Sequence, residues 1–450
     1  MILAVESSCD ESALALFDPA RGIVRELISS QAAEHQKYGG VVPELASRMH
    51  LSALPLLLAD FRTELGQAEK IAVTRGPGLL PCLAMGVTLA RSLALARGLP
   101  VVGVNHLRAH VHSPFIAVHA ADPAGFAAAR AALLPHLAIV VSGGNTLLVK
   151  LDDRLRLTVV ARTVDDAAGE AFDKGAKLLG LPYPGGALIE KQAMLGDVRK
   201  FVFPRGIPEK ADLRLSFSGL KTALRYQLEK MSDADVAAAM PDLCAGYQHA
   251  IIEQLTSKAG AVLDLGGYKS VGLSGGVANN RTLRTRLTNA ALQRGLPMLV
   301  AEPKHCGDNA GMIAFAAWAD VGLPIGAAAV PAAETGSAPA ASCSARARQK
   351  TARCLSGSTL RGEGGIRAAS TPGVRRQASS NLRANRASSS ESMAAASSPL
   401  AMNFTFEPLA AASIMRPMML FPLTCSSSFS TMTSALNLLV MRTTIAAGRA

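Results

Sequence analysis

No two of the seven cysteines stand as a C-x-x-C pair, and their odd number and scatter (Cys9, Cys82, Cys244, Cys306, Cys343, Cys354 and Cys425) offer neither a zinc ribbon nor a disulfide framework. They suit a reducing compartment. Charged residues make up only 18% of the chain against 49% hydrophobic, which excludes disorder of the whole and fits a packed protein. No charged segment followed by an apolar core opens the sequence, and no run reaches the roughly 18 apolar residues of a membrane span. The expected setting is therefore the cytoplasm, with no membrane partner. Acids are scarce in one region only: residues 326–450 hold 13 Lys+Arg against 4 Asp+Glu, while the rest is close to balanced. The net charge of +12 thus belongs mainly to that tail.

All nine histidines and every Asp precede residue 321, and the tail is built from Ser, Ala, Arg and Gly without sustained helical or strand periodicity. It reads either as a disordered extension or as the product of a coding-frame error. The preceding residues alternate strand-like and helix-like segments, the pattern of an α/β fold. Strands are expected at ILAVES, ALALFD, IVRELISSQ, KIAVTRG, VVGVNH, HLAIVVSGG, TLLVKLD and YKSVGLSGG. Helices are expected at 42–65, 79–98 and 238–266, each with an apolar face at three- and four-residue spacing. ILAVESSCDESALALFD and LAIVVSGGNTLLVKLD are the same unit, strand, polar turn and strand, used once in each half. Small residues in such turns admit backbone N–H groups to phosphate oxygens; plain hairpins satisfy the same pattern. A third glycine turn, Ser274-Gly275-Gly276, leads from a strand into a helix bearing Asn279, Asn280 and Arg281.

Within HLRAH, His106 and His110 are four residues apart, so a helix would place both on one face. From spacing alone they are a ligand pair or ordinary helix polarity. A metal centre needs a third ligand and an open position, and Asp308 in CGDNAGMIAF is a candidate. Two nitrogens and one oxygen suit Fe(II) or Zn(II). The zincin pattern carries a glutamate base after its first histidine; Leu107 stands there instead. His112, His119 and His305 lie outside the register of the pair and read as structural or solvent-exposed.

VESSCDES, GGVVPELASR, NHLRAH, VSGGNT, DDAAGEAFDKGAKLLGLPYPGG, SFSGLKTAL, GGVANNRTLR and CGDNAGMIAF, in that order, closely resemble the tRNA N6-adenosine threonylcarbamoyltransferase family, formerly called O-sialoglycoprotein endopeptidase. The resemblance runs from residue 1 to about 325. It implies a two-lobed actin-like ATPase fold, with lobes at roughly 1–130 and 131–325. It also implies transfer of the threonylcarbamoyl group from L-threonylcarbamoyl-AMP to N6 of adenosine 37 in tRNAs reading ANN codons. Further implications are a metal held by His106, His110 and Asp308, Fe(II) before Zn(II), and substrate contacts at Val141, Ser142, Gly143, Gly144, Asn145, Asp173, Gly186, Glu190 and Asn280. Asp10 and Glu11, in the first hairpin turn, are the candidate bases, although Asp also favours such turns for conformational reasons. Implied partners are tRNA, a smaller paralogous subunit and a P-loop ATPase, with the adenylate made by a separate synthase.

Two features depart from the family. Asn145 replaces a usual histidine; its amide hydrogen-bonds but cannot titrate, so proton transfer there is doubtful. After the helix that follows Asp308, the sequence drifts into the unrelated tail. Two other readings remain: a metal-dependent glycoprotein endopeptidase, and a non-catalytic scaffold of the same fold.

Overall fold

Burial along the first strand alternates between two different cores. In β1 (Ile2–Glu6), Leu3 and Val5 face one apolar cluster while Ile2 and Ala4 face another, the period-two alternation of a strand covered on both sides. The computed structural model describes residues 1–320; the expectations for residues 326–450 lie outside the described residues. The first sheet comprises β1, β2 (Glu11–Asp18), β3 (Gly22–Ser30), β4 (Lys70–Gly76) and β5 (Val101–Asn105), in the order β3-β2-β1-β4-β5. The second comprises β6 (His136–Val141), β7 (Thr146–Leu151), β8 (Leu157–Arg162), β9 (Ser270–Ser274) and β10 (Met298–Val300), in the order β8-β7-β6-β9-β10. Each sheet is an antiparallel three-strand meander followed by two parallel strands. This duplication puts the repeated hairpin of the sequence into both sheets and agrees with the two-lobed actin-like fold that the family resemblance implies.

The helices of the first half are α1 (Ala32–Gln36), α2 (Pro43–Asp60), α3 (Arg62–Leu65), α4 (Leu80–Arg97), α5 (His106–His112), α6 (Phe115–Ala121) and α7 (Phe126–Leu133). Those of the second are α8 (Ala168–Leu178), α9 (Gly186–Ala193), α10 (Ser218–Leu228), α11 (Asp233–Asp264), α12 (Arg281–Leu292), α13 (Pro303–Cys306) and α14 (Ala310–Ala319). Helices α2 and α4 cover the outer face of the first sheet, and α8 to α12 cover the outer face of the second. Residues of α5, α6, α7 and α14 share one cluster with the inner faces of both sheets. Helix α14 therefore returns from the end of the described chain to lie against β1 and β2. Helix α4 is long and apolar enough to cross a membrane, yet it spends Cys82, Leu83, Met85, Leu89 and Leu93 on the core beneath it.

All eight expected strands form. Two more, β8 and β10, form at the edges of the second sheet: β10 is apolar but only three residues long, and β8 has one buried position, so neither carries a strand-length buried pattern. The helix expected over 42–65 breaks at Phe61 into α2 and α3. That expected over 238–266 begins earlier, at a capping box in which Ser232 and Asp235 each satisfy the other's backbone N–H.

His136 opens β6 fully buried. Its Nδ1 lies 2.6 Å from Ser270 Oγ, whose own proton goes to Leu133 O, so Nδ1 carries the hydrogen. Nε2 has no partner. Burial, aided by His112, pushes the imidazole pKa down to about 3, below the unfolded value of ~6.5. Below pH ~6.5 the unfolded chain takes up a proton that the folded chain refuses, so this site's stability is complete above that pH and is lost as pH falls. Wild type should lose about 2 kcal/mol at this site by pH ~5, and thermal melts of His136→Gln should show a shallower decline over the same range.

Candidate metal centre

Helix α5 starts directly after β5 because Asn105 caps it, its side chain accepting from Arg108 N at 3.1 Å. This fixes the register that places His106 and His110 on one face, their rings 4.7 Å apart and nearly perpendicular. Asp308 is delivered by the turn into α14, whose first residues are held by the Asn309 cap and by Glu26, which accepts from Gly311 N at 2.6 Å. Its Oδ1 lies 3.3 Å from His106 Nε2 and 3.2 Å from His110 Nε2, although 198 residues separate Asp308 from His110. The three ligand atoms all fall within 4.8 Å of one another.

These donors fit a first-row divalent ion. Ligands about 2.1 Å from one ion and at right angles sit about 3.0 Å apart, close to the observed separations. Behind His106, the fully buried Glu6 accepts at Nδ1 through Oε2 at 3.3 Å. That leaves Nε2 for a ligand, the carboxylate–histidine pairing common behind metal-bound imidazoles. Glu6 is itself held by Thr74 Oγ1 at 2.5 Å and Ser8 N at 2.5 Å. Sequence reasoning missed Glu6; its signal was a lone acid inside the apolar strand ILAVE.

Burial opposes charge throughout the cluster, but the ionic partners prevail at two positions. His106 is desolvated, yet Asp308 and Glu6 raise its pKa well above the usual value. Asp308 is partly buried, its side chain 20% exposed, and the two imidazoles hold its carboxyl far below the carboxylate range. His110 is lowered, first by burial and then through the charge of His106. The site is a preformed charge arrangement in which protons compete with a cation.

The glycine turns lie beside it. Ser274 Oγ donates to His110 O at 2.7 Å, tying α5 to the end of β9. Gly275, at φ 91°, passes so close to β6 that an added Cβ would sit 2.3 Å from Val141 O; only glycine serves there. In the Val141–Asn145 turn, Ser142 N donates to Asn145 O and Asn145 N to Ser142 Oγ. Gly143 and Gly144 are exposed, with no heavy atom near where a Cβ would project. Gly169 N donates to Ser142 O, packing the start of α8 under the turn.

Asp173 accepts from Gly185 N at 2.8 Å and lies at the start of α9, which begins with Gly186; burial raises its pKa, opposed by those backbone bonds. Glu190 accepts from Arg281 N at 2.7 Å, linking α9 to α12. Asn280 is the N-cap of α12: its Oδ1 accepts from Leu283 N and its Nδ2 donates to Gln248. Asp10 and Glu11 sit where the first hairpin turn enters β2. Burial and the charges of Asp10 and Asp308 push the Glu11 carboxyl up to about 9, so without a compensating cation Glu11 is an acid at neutral pH. His112, His119 and His305 are all buried, which corrects the solvent-exposed part of that expectation. His119 Nε2 donates to Pro19 O at 2.9 Å, while His112 and His305 lie 3.5 Å from Asp320 and Glu26 without hydrogen-bond alignment.

Residues 22–315 match the family model described as tRNA N6-adenosine threonylcarbamoyltransferase. A protein of that name from Geobacter sulfurreducens is 43% identical over 320 residues, covering 70% of this chain and 90% of the relative. One from Variovorax paradoxus is 44% identical over 325 residues, covering 70% and 89%. Among solved structures, full-length HypF in a phosphate- and nucleotide-bound form overlaps 70% of this chain and 54% of its own at 15% identity and a TM-score of 0.45, too loose a likeness to carry an argument.

Replacing Glu6 with Gln should weaken Co(II) or Zn(II) binding by about 10- to 100-fold, and His110→Ala should abolish it. Titration of metal-stripped protein, with metal content checked by plasma mass spectrometry, reads both.

Proposed function

This chain belongs to the tRNA N6-adenosine threonylcarbamoyltransferase family, and from that premise we propose how its residues divide the work. The reaction moves the threonylcarbamoyl group from L-threonylcarbamoyl-AMP to N6 of adenosine 37 in tRNAs reading ANN codons. The exocyclic amine forms a bond to the carbamoyl carbon, the bond from that carbon to the phosphate oxygen breaks, AMP leaves with the electron pair, and the amine loses one proton. The observation that carries the reading is the family match over residues 22–315, which spans the site segments from His106 to Asp308. A divalent ion on His106, His110 and Asp308, Fe(II) before Zn(II), supplies positive charge that orients an anionic substrate when bound.

The remaining assignments rest on what each residue leaves free. Gly143 and Gly144 offer backbone N–H groups with no side chain in the way, and Val141, Ser142 and Asn145 hold that turn in shape. Asn145 can donate or accept but holds no proton to transfer. Asp173 takes backbone N–H groups from Gly185 and Gly186, and its remaining acceptor capacity faces ribose hydroxyls in this reading. Glu190 likewise keeps Oε2, and Asn280 keeps one amide hydrogen. Asp10 is the candidate for accepting the amine proton, since in the metal-free protein burial and the charges of Asp10 and Asp308 raise the Glu11 carboxyl to about 9 and leave it protonated near neutrality.

This enzyme would work in the cytosol on tRNA, with a smaller paralogous subunit, a P-loop ATPase and a separate synthase that makes the adenylate, and with catalysis confined to residues 1–325. The endopeptidase reading is not favoured, because Leu107 occupies the position of a protease base. A non-catalytic scaffold would not require His106, His110 and Asp308 to converge.

Metal-loaded protein mixed with L-threonylcarbamoyl-AMP, tRNA and bacterial helper proteins should yield modified nucleoside by mass spectrometry; its absence would reject the activity. Asp10→Asn should lower kcat by about 10²- to 10⁴-fold if it is the base. The near-isosteric Glu11→Gln should cost under about tenfold, because it mimics the protonated state.

A further inference from the structure

We propose that Arg108, His112 and Asp320 form a clip that sets the roll of α5 about its own axis, and so act as positioning residues for His106 and His110. The proposal rests on the metal reading of His106, His110 and Asp308.

Helix α5 carries two interleaved pairs at four-residue spacing, His106 with His110 and Arg108 with His112. Two residues advance a helix by about 200°, so the second pair lies on the face opposite the first. Helix α14 has an acid at each end: Asp308 immediately before its cap, and Asp320 immediately after its last turn. Asp308 meets the first pair at 3.3 and 3.2 Å. Asp320 meets the second, accepting from Arg108 Nε and Nη2 at 2.5 Å each, with His112 Nε2 at 3.5 Å. A ten-residue helix is about 15 Å long, and a helix with its side chains is about 10–12 Å wide. The length of α14 therefore spans the width of α5, and its two acids grip opposite faces.

The grip is built rather than incidental. The Asp320 side chain is 4% exposed, and its two oxygens take a planar guanidinium in the bidentate geometry that resists rotation. Arg130 Nη1 donates to Ala319 O at 2.7 Å, so the C-terminal end of α14, where its dipole is negative, faces cations. Other ties of α5 run through its backbone and cap, Ser274 to His110 O and Ser113 Oγ to His305 O at 2.6 Å, and these fix where α5 lies. Glu6 Oε2 and Ser8 Oγ hold the His106 ring directly through Nδ1, at 3.3 and 3.4 Å. The grip on Arg108 and His112 acts on the helix itself, and so on both imidazoles together; ligands displaced by a fraction of an ångström lose affinity for an ion.

Metal-stripped full-length protein titrated with Co(II), whose visible absorption reports ligand geometry, tests the clip. Asp320→Asn, which keeps the side-chain volume but not the charge, should bind Co(II) about tenfold more weakly and with an altered absorption band. Arg108→Lys, which keeps the charge but not the paired bonds, should move in the same direction by less. Tyr247→Phe, which removes a buried bond to Ala171 O far from α5, should lower the melting temperature yet leave Co(II) affinity and spectrum unchanged. Wild-type affinity and spectrum in Asp320→Asn, or in Arg108→Lys if Asp320→Asn does not fold, overturns the clip while the metal site stands. Failure of the wild type itself to bind Co(II), as expected only of His110→Ala, overturns the metal reading and the clip together.

Discussion

The candidate metal centre depends on one carboxylate oxygen held between two imidazoles. A carboxylate removed from water costs several kcal/mol unless partners compensate, and Asp308 has two within 3.3 Å. The arrangement gathers charge around His106, flanked by Asp308 on one nitrogen and Glu6 on the other. An imidazole between two acids prefers a positive charge, and a divalent ion provides the same compensation with more of it. What makes the cluster tolerable in the folded chain is thus also what makes it receptive.

The fold was legible wherever burial was two-sided. Strands β1, β4, β6 and β9 are covered on both faces and read as apolar runs; β8, at a sheet edge, leaves Thr158 and Val159 exposed and shows nothing of the kind. The start of α11 was hidden for a different reason: its first turns are polar and exposed, and what begins it is the hydrogen bonding of Ser232 with Asp235, not apolar periodicity. In the site, His106 and His110 announce themselves because four-residue spacing is a local signal. Glu6 and Asp320 do not, since their partners lie 100 and 212 residues away, and an ion pair between distant segments leaves no pattern along either one. Asp308 was legible as a candidate third ligand because CGDNAGMIAF puts a carboxylate at the start of a helical pattern, and the family motif around it then pointed to the same residue.

The substrate turns show a division between residues the fold already occupies and those it leaves open. Asn280 is committed at both ends of its amide, and Glu190 and Asp173 each hold a neighbouring backbone N–H. Gly143 and Gly144 hold nothing. A ligand would therefore meet a rigid polar frame at one side and bare backbone at the other, the combination that fixes orientation while permitting close approach.

Helix α14 is the last described element, yet it lines β1 and β2, the first two described strands. The bond from Glu26 to Gly311 joins residues 285 apart, and the inner face of the first sheet, Ile2, Ala4, Ala15 and Phe17, shares its cluster with Met312, Ile313 and Phe315. Helices α5, α6 and α7 share that cluster and are made earlier, so during vectorial synthesis the part of the face that α14 covers is the last to be closed. A chain ending before residue 308 would leave that part of the sheet open and would lack Asp308.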